Sequence, residues 1–287
     1  MIALGVIGNG RHVRALQDHQ APLGRFQFAA TPVRAWQDVA ADPTIAALLV
    51  DVSGGECEIV QAGLEAGKII VCSPVPARSA DDVTHLKHAI VQGGGTLLPC
   101  GELTHGEATR RGLAAMADPA FGRLTSLYLA IRQPRGPGDV IADLLPEAVG
   151  FVLAAIREDI TAVRVTAGRL FGPTRDCAVI LLRSAGEAVV TIELSRCLPA
   201  TLPAPGLGEI EIEAVGTRQA VRITPLDSAV RIHRDDGYVV RRWQDAAVLQ
   251  MLRDIADVVD GHDAAAGAMR RVARAQSLLA AIAAAAG

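Results

Sequence analysis

The stretch Ala41–Ile90, ADPTIAALLVDVSGGECEIVQAGLEAGKIIVCSPVPARSADDVTHLKHAI, decides the fold of this 287-residue chain. Its two predominantly aliphatic runs, Ile45–Val52 and Ile69–Cys72, are short and nearly continuous, as strands buried on both faces are. A helical segment follows each run, and the second helix opens with Ser79 and two acids, which suit a helix start. Buried strands that alternate with helices predict a parallel sheet covered on both faces.

The same alternation continues on both sides of this stretch. Ile2–Ile7 and Phe26–Thr31 are predicted to be two earlier strands, and Thr96–Cys100 a fifth. The connection Pro32–Thr44 is short for a crossover, which predicts that the helix between the second and third strands is shortened or lost. Residues 1–103 are therefore predicted to form a doubly wound, Rossmann-like α/β domain.

The pattern changes after residue 103. Helices are predicted at Glu107–Ala117 and at Pro146–Arg157, with Pro146 in the first turn of the latter. Many strands then follow one another, and Glu209–Glu213 alternates acidic and apolar residues, as a strand with one wet face does. Residues 104–287 are predicted to form an α+β domain with a large, mainly antiparallel open sheet.

Composition excludes several classes of function. The formal net charge of −3 and a charged fraction of 21% indicate no surface for nucleic acid or an anionic membrane. The N-terminus has no basic segment of the secretory type, and no apolar run is long enough to span a membrane. Five cysteines without a C-x-x-C pair favour neither a disulfide framework nor a metal site, and a reducing cytoplasm is expected.

The chain resembles the glucose–fructose oxidoreductase / inositol dehydrogenase (Gfo/Idh/MocA) family over nearly its whole length. The resemblance is carried by the strand and Gly-Asn-Gly opening and by the segments Ala41–Gly54, Gly63–Ile90, Phe121–Arg132 and Glu211–Ile223. It implies a dinucleotide-binding domain followed by a substrate and oligomerisation domain. It also implies NAD(P)-dependent oxidation or reduction of a sugar, polyol or related small molecule.

The turn after the first strand is the candidate site for a dinucleotide. Gly8, Asn9 and Gly10 would let the backbone approach a pyrophosphate at the start of the next helix. Arg11 would add a charged contact there. Val13 stands where the G-x-G-x-x-G fingerprint has its third glycine, so a strand–turn–helix corner without a ligand is the alternative interpretation.

The nucleotide preference depends on the end of the second strand. No acid follows Thr31 to hold the ribose hydroxyls, whereas Arg34 could face a 2′-phosphate. This favours NADP over NAD, against the alternatives that Arg34 is a surface residue and that no dinucleotide binds. Ser53 and Ser73 follow the third and fourth strands, in loops that would adjoin a bound cofactor.

The family resemblance also implies a Glu-Lys-Pro triplet after the fourth strand, whose lysine assists proton transfer. This chain has Ser73-Pro74-Val75 at that place, and a shift of one residue still brings in no lysine. Only Lys68 and Lys87 are lysines among the 28 basic residues; Lys68 lies before the fourth strand and Lys87 in the helix that follows it, so neither can substitute without rearrangement. The standard proton-transfer mechanism therefore fails for this chain.

Four residues are candidates for acid–base chemistry instead. The resemblance implies an Asp followed four residues later by His, and here Asp143 is followed by Glu147. That spacing puts both acids on one helical face, where one could serve as a general acid; a solvated helix start is the alternative. Glu102 and His105 follow the fifth strand, at the sheet edge where ligands bind in α/β folds.

Two hypotheses about function remain. One is an NAD(P)-dependent oxidoreductase with a non-standard acid–base set, for instance a reductase of an activated C=N or C=C bond. The other is a catalytically silent relative that binds a ligand or scaffolds a partner. In both, an apolar face of the second sheet predicts a homodimer or larger assembly.

Overall fold

The computed structural model describes residues 1–10, 13, 14, 16, 24–30, 35–52, 54–199, 201, 208–243, 247–262 and 267–286. The chain forms two compact units. The first contains Met1–Gly101 and Val248–Ser277, and the second contains Glu102–Ala247 and Leu278–Gly287. Each unit is therefore built from two separate segments of the chain.

The first unit is built on a five-stranded parallel sheet. Its strands are β1 (Ile2–Gly8), β2 (Phe26–Ala30), β3 (Ala47–Asp51), β4 (Ile69–Cys72) and β5 (Thr96–Pro99), in the spatial order β2-β1-β3-β4-β5. The helices are α1 (Trp36–Ala41), α2 (Glu56–Glu65) and α3 (Ala80–Gly93), joined later in the chain by α7 (Ala247–Val259) and the start of α8 (Ala268–Ala286). The strands that the sequence predicts are therefore present and parallel.

The local sequence explains where these helices lie. Helix α3 begins with a capping box, in which the Asp82 N–H donates to Ser79 Oγ and the Ser79 N–H donates to Asp82 Oδ2, both at 3.0 Å. Helix α1 has only six residues, so the helix between the second and third strands is short, as predicted. Aliphatic side chains of the strands and helices pack into one core, which includes Leu48, Leu64 and Leu86.

The strand order places two chain segments side by side at the ligand-binding edge of the sheet. β1 and β3 are neighbours, and Gly8, the last residue of β1, pairs with Asp51, the last residue of β3. Ligands of open α/β sheets bind beyond the carboxyl ends of the strands. Asp51 is therefore held next to the glycine turn by the register of the sheet.

The second unit contains an eight-stranded sheet. Its strands are β6 (Leu124–Pro134), β7 (Ile160–Gly168), β8 (Cys177–Ser184), β9 (Val189–Leu198), β10 (Glu209–Gly216), β11 (Ala220–Thr224), β12 (Ala229–Arg234) and β13 (Gly237–Arg242). The spatial order is β13-β12-β11-β10-β6-β9-β8-β7, in which β6 and β9 pair in parallel and the other neighbours are antiparallel. This confirms the predicted fold class, a doubly wound parallel sheet followed by a large, mainly antiparallel one.

Three helices accompany this sheet, and one of them corrects the sequence prediction. They are α4 (Glu102–His105), α5 (Glu107–Ala117) and α6 (Val140–Ala155). The prediction that α6 begins at Pro146 is wrong, because Pro146 lies inside the helix. The true start is capped by Asp139, whose Oδ1 accepts the N–H groups of Ile141 and Ala142 at 2.9 and 3.2 Å. None of the helices in the described ranges is long and apolar enough to cross a membrane.

Candidate functional site

The turn after β1 is shaped by close contact with the end of β3. Gly8 has a φ of +105°, and a Cβ on this residue would overlap the backbone carbonyl of Asp51. The Gly10 N–H donates to that same carbonyl oxygen at 3.2 Å. A side chain at Gly8 is therefore excluded by the strand beside it, whether or not a ligand binds.

The side chain of Asp51 lies in the same turn. Its Oδ2 accepts the backbone N–H of Val13 at 3.2 Å. A Cβ built on Gly10 would overlap the carboxylate, and its three nearest atoms all belong to that group. The carboxylate therefore lies against the inner face of the turn, where the chain enters the helical conformation of Val13 and Arg14.

These contacts allow a test of whether a dinucleotide fits. Its diphosphate would approach the backbone of Gly8 and Asn9 and the N–H groups of the residues after Gly10, because the Gly10 N–H already donates to the Asp51 carbonyl. Gly8 and Asn9 are exposed and Gly10 is half-buried, so the backbone leaves room for a phosphate. Asp51 already accepts the Val13 N–H, so a phosphate oxygen could take that donor only if the Asp51 side chain moved.

Ser73, the first residue of the triplet that stands where Glu-Lys-Pro is expected, is bound to the carboxylate of Glu56. The Ser73 N–H donates to Glu56 Oε1 at 2.8 Å, and the Ser73 hydroxyl donates to Oε2 at 2.7 Å. Both residues are half-buried. This double hydrogen bond joins the first residue of α2 to the loop that follows β4.

Burial raises the pKa of the Glu56 carboxyl above its ordinary value. The hydrogen bonds from Ser73 act in the opposite direction, and the nearby charge of Asp51 raises the pKa further. Two carboxyl groups thus influence each other at this edge. Lys68 cannot balance them there, because its Nζ donates to the carbonyls of Asp42 and Ile45, at 2.7 and 2.8 Å, ahead of β3.

In the second unit, the helices that carry the acid–base candidates are packed together. The short helix α4, with Glu102 and His105, lies against α6, with Asp143 and Glu147. Glu147 is only 2% exposed, so the interpretation of this residue as part of a solvated helix start is wrong. His105 is half-buried, and its Nδ1 lies 3.0 Å from Thr104 Oγ1.

Asp143 has a different environment from Glu147. Its Oδ2 accepts a hydrogen bond from Arg196 Nη1 at 2.8 Å, and its side chain is 44% exposed. Arg196 also donates to the carbonyl of Pro137 and to the side chain of Gln133. Asp143 therefore helps to hold the Pro- and Gly-rich loop between β6 and α6. Glu147, by contrast, lies in the interior.

Several predicted site residues lie outside the part of the chain that the structure describes. These are Arg11, Thr31, Arg34 and Ser53, together with the side chain of Glu102. No group of three or more potential metal ligands occurs in the residues that the structure describes. The proposed roles of Arg34 in nucleotide preference and of Ser53 beside a cofactor stay predictions.

Sequence reasoning missed Asp51. An acid at the end of an otherwise aliphatic buried strand is an unusual feature, and it was the available signal. The pairing of β3 with β1, which brings Asp51 to the glycine turn, depends on the strand order rather than on any local pattern.

Comparison with known proteins identifies the fold. No protein-family model and no curated protein matches the chain by sequence. Among solved structures, aldose–aldose oxidoreductase from Caulobacter crescentus, complexed with glycerol, superimposes with a TM-score of 0.83 at 14% identity, covering 99% of this chain and 97% of the other. Levoglucosan dehydrogenase in complex with NADH and levoglucosan gives 0.78 at 15% identity, with 99% and 96% covered.

The chain has the fold of Gfo/Idh/MocA-type oxidoreductases. An oxidoreductase domain protein from Kribbella flavida agrees, with a TM-score of 0.75 at 17% identity and coverage of 99% and 88%. These likenesses span both units of the chain, whereas the low identities limit what they show to the fold.

Proposed function

We propose that this protein is an NAD(P)-dependent oxidoreductase of a small molecule, in which carboxyl and imidazole groups replace the usual lysine. The observation that carries the proposal is the packing of α4 against α6, which puts the helix of His105 beside the helix of the buried Glu147. The fold adds support, since the solved structures that share it are oxidoreductases by name.

Each group of this chain has a separate task in the proposal. The Gly8–Gly10 backbone holds the diphosphate, and Ser53 and Ser73 flank the rest of the cofactor. Glu147, shielded from water as general acids of enzymes often are, gives a proton to the substrate heteroatom or carbon in reduction and takes it back in oxidation. His105 exchanges that proton with solvent. When bound, the nicotinamide supplies the hydride that adds to the substrate carbon and is itself oxidised.

Glu147→Gln tests the acid role. Turnover is measured as loss of reduced-nicotinamide absorbance with a panel of aldoses, ketoses, imines and polarised alkenes. We expect Glu147→Gln to reduce turnover by about 10²–10⁴-fold, the usual contribution of a general acid, without weakening the binding of NADH or NADPH. Glu107→Gln is the matched control, because Glu107 pairs with Arg110 and Arg111 on α5 of the same unit. Equal turnover of wild type and Glu147→Gln would reject the acid role.

Preference for NADP is the finer part of this proposal. Arg34→Ala should weaken the binding of NADPH more than that of NADH, since only NADPH carries a 2′-phosphate. An equal effect on both nucleotides would exclude a contact with that phosphate.

A second candidate function, a catalytically silent ligand- or partner-binding protein, is favoured by one specific observation. Both donors of Ser73 are used by Glu56, so the first residue of the Ser73-Pro74-Val75 triplet is held by a carboxylate, and the triplet itself contains no cation. If neither NADH nor NADPH binds at millimolar concentration and no member of the panel turns over, this second candidate replaces the first.

We also propose that the second sheet forms a homo-oligomer interface. Val179, Leu181 and Val189 lie on one face of β8 and β9 and are 42%, 43% and 49% exposed, which is costly for an isolated apolar patch. Leu181→Glu should lower the mass measured by light scattering, whereas Val91→Glu on α3 should not. A wild-type protein that is monomeric at micromolar concentration would refute the interface. A cytoplasmic location is proposed on the five free cysteines.

A further inference from the structure

We propose that the Asp51 carboxylate occupies the position where the diphosphate of a dinucleotide would bind. This side chain thereby sets the affinity of the protein for nucleotide. The inference rests on the proposed function, because it concerns the cofactor of that function. It assigns a role to a residue that the glycine motif alone does not suggest.

The Asp51 carboxylate and a phosphate would compete for the same backbone donor. The first N–H groups of a helix attract anions. In this chain the anion at that place is the Asp51 carboxylate, which accepts the Val13 N–H at 3.2 Å. A phosphate oxygen would require the same donor and would bring a second negative charge to the same few ångströms, where like charges repel.

The Asp51 carboxylate lies so close to Gly10 that a Cβ there would overlap it. The backbone of Asp51 is fixed on the other side, since Gly8 is its partner in the β1–β3 ladder and the Gly10 N–H donates to its carbonyl. These main-chain contacts therefore place the Asp51 side chain in the turn. Only rotation about the side-chain bonds of Asp51 can move it out.

Gly8 and Gly10 both face Asp51, one its carbonyl and the other its carboxylate. A Cβ at either position would overlap Asp51, so the contacts with Asp51 explain both glycines without a bound nucleotide. The glycine motif and Asp51 form one packed unit, in which the protein's own carboxylate takes the position that the motif offers to a phosphate.

The carboxyl group of Glu56 adds to the repulsion that a diphosphate would meet at this edge of the sheet. Glu56 is close enough for the charge of Asp51 to raise its pKa, with burial as the larger cause. A diphosphate at this edge would thus meet two carboxyl groups. Removing the charge of Asp51 should improve nucleotide binding chiefly through the phosphates and leave contacts to the adenosine unchanged.

The test is a binding titration of purified full-length protein with NADH and NADPH, followed by nicotinamide fluorescence. The variants are Asp51→Ala, which empties the turn, and Asp51→Asn, which keeps the size of the side chain but removes its charge. Glu65→Ala is the control, because it removes the same charge from an exposed position on α2. ADP and adenosine are titrated in parallel by calorimetry, and circular dichroism checks that each variant is folded.

We expect Asp51→Ala to lower the Kd of both dinucleotides by about tenfold or more, a readily measured difference. Asp51→Asn should give a smaller gain, and Glu65→Ala none. The gain should appear with ADP and be absent with adenosine. If Asp51→Ala does not fold, Asp51→Asn alone still decides the charge effect.

The failures are distinguishable. Wild type and both Asp51 variants binding NADH and NADPH with equal affinity would overturn the role of Asp51 and leave the proposed function intact. No binding by any of them at millimolar concentration would overturn both. An equal gain for ADP and adenosine would also overturn the inference, since the effect would then not involve the phosphates.

Discussion

Gly10→Ala tests the contact between Asp51 and the glycine turn without any ligand. The new Cβ overlaps the Asp51 carboxylate, so the carboxylate has to move away and lose its bond from the Val13 N–H. A hydrogen bond to a charged group contributes about 1.5–3 kcal/mol, and we expect Gly10→Ala to lower the free energy of unfolding of the first unit by about that amount.

The same substitution should behave differently once Asp51 is absent. In the Asp51→Ala background the nearest obstacles to the Cβ are gone. The cost should then fall to about zero, or become a gain of ~0.4–1 kcal/mol from the stiffer unfolded chain. The expected coupling energy between the two positions is therefore about 1.5–3 kcal/mol or slightly more.

The assay is a double-mutant cycle from urea unfolding. Trp36, which packs on the core of the first unit, reports on that unit when Trp243→Phe removes the only other tryptophan. Gly54→Ala is the control, because no atom lies within 4 Å of a Cβ at that position, and it should not couple to Asp51. Additive effects of Gly10→Ala and Asp51→Ala, within about 0.5 kcal/mol, would refute the contact.

Three further predictions concern the stability of the two units. Lys68→Met should destabilise the protein by about 1–3 kcal/mol because it removes the Lys68 donor from the buried Ile45 carbonyl, whereas Lys87→Met, at an exposed position on α3, should change the thermal midpoint little. Asp139→Ala should cost about 1–2 kcal/mol, since it removes the cap of α6, and the loss should be visible in thermal unfolding. Glu193→Gln should lower the thermal midpoint at neutral pH, because the hydrogen bond from Arg132 lowers the pKa of Glu193. That stabilisation is present above the ordinary glutamate pKa of 4.5 and is lost as the pH falls through the lower folded value, so the two midpoints should converge in acid.

The parts of the fold that the sequence predicted are those with a local cause. The strands β1, β3 and β4 are short aliphatic runs between turn residues, and such runs are recognisable without their partners. Helix α3 was recognisable from Ser79 and the acids that follow it, which form the observed capping box. The short α1 followed from the length of its connection alone.

The errors have physical causes as well. Pro146 suggested a helix start, because proline is favoured in the first turn, but the Asp139 cap and the buried face of α6 outweigh the cost of an internal proline. Glu147 looked like a surface acid in sequence, and only the packing of α6 shows that it is buried.

The candidate site was the harder part, since its contacts join distant segments. The bond from Val13 to Asp51 spans 38 positions, and the pair of Glu56 and Ser73 spans 17. Both depend on which strands are neighbours. A pattern search finds the glycines of the turn, whereas the carboxylate that fills the turn is visible only once β3 lies beside β1.

The most direct test of the central claim is a crystal structure of the wild-type protein grown with a saturating concentration of NADPH. The account predicts the diphosphate against the Gly8–Gly10 backbone and the Asp51 side chain rotated out of the turn, with the Val13 N–H donating to a phosphate oxygen. Nucleotide bound elsewhere while Asp51 still accepts the Val13 N–H would contradict it.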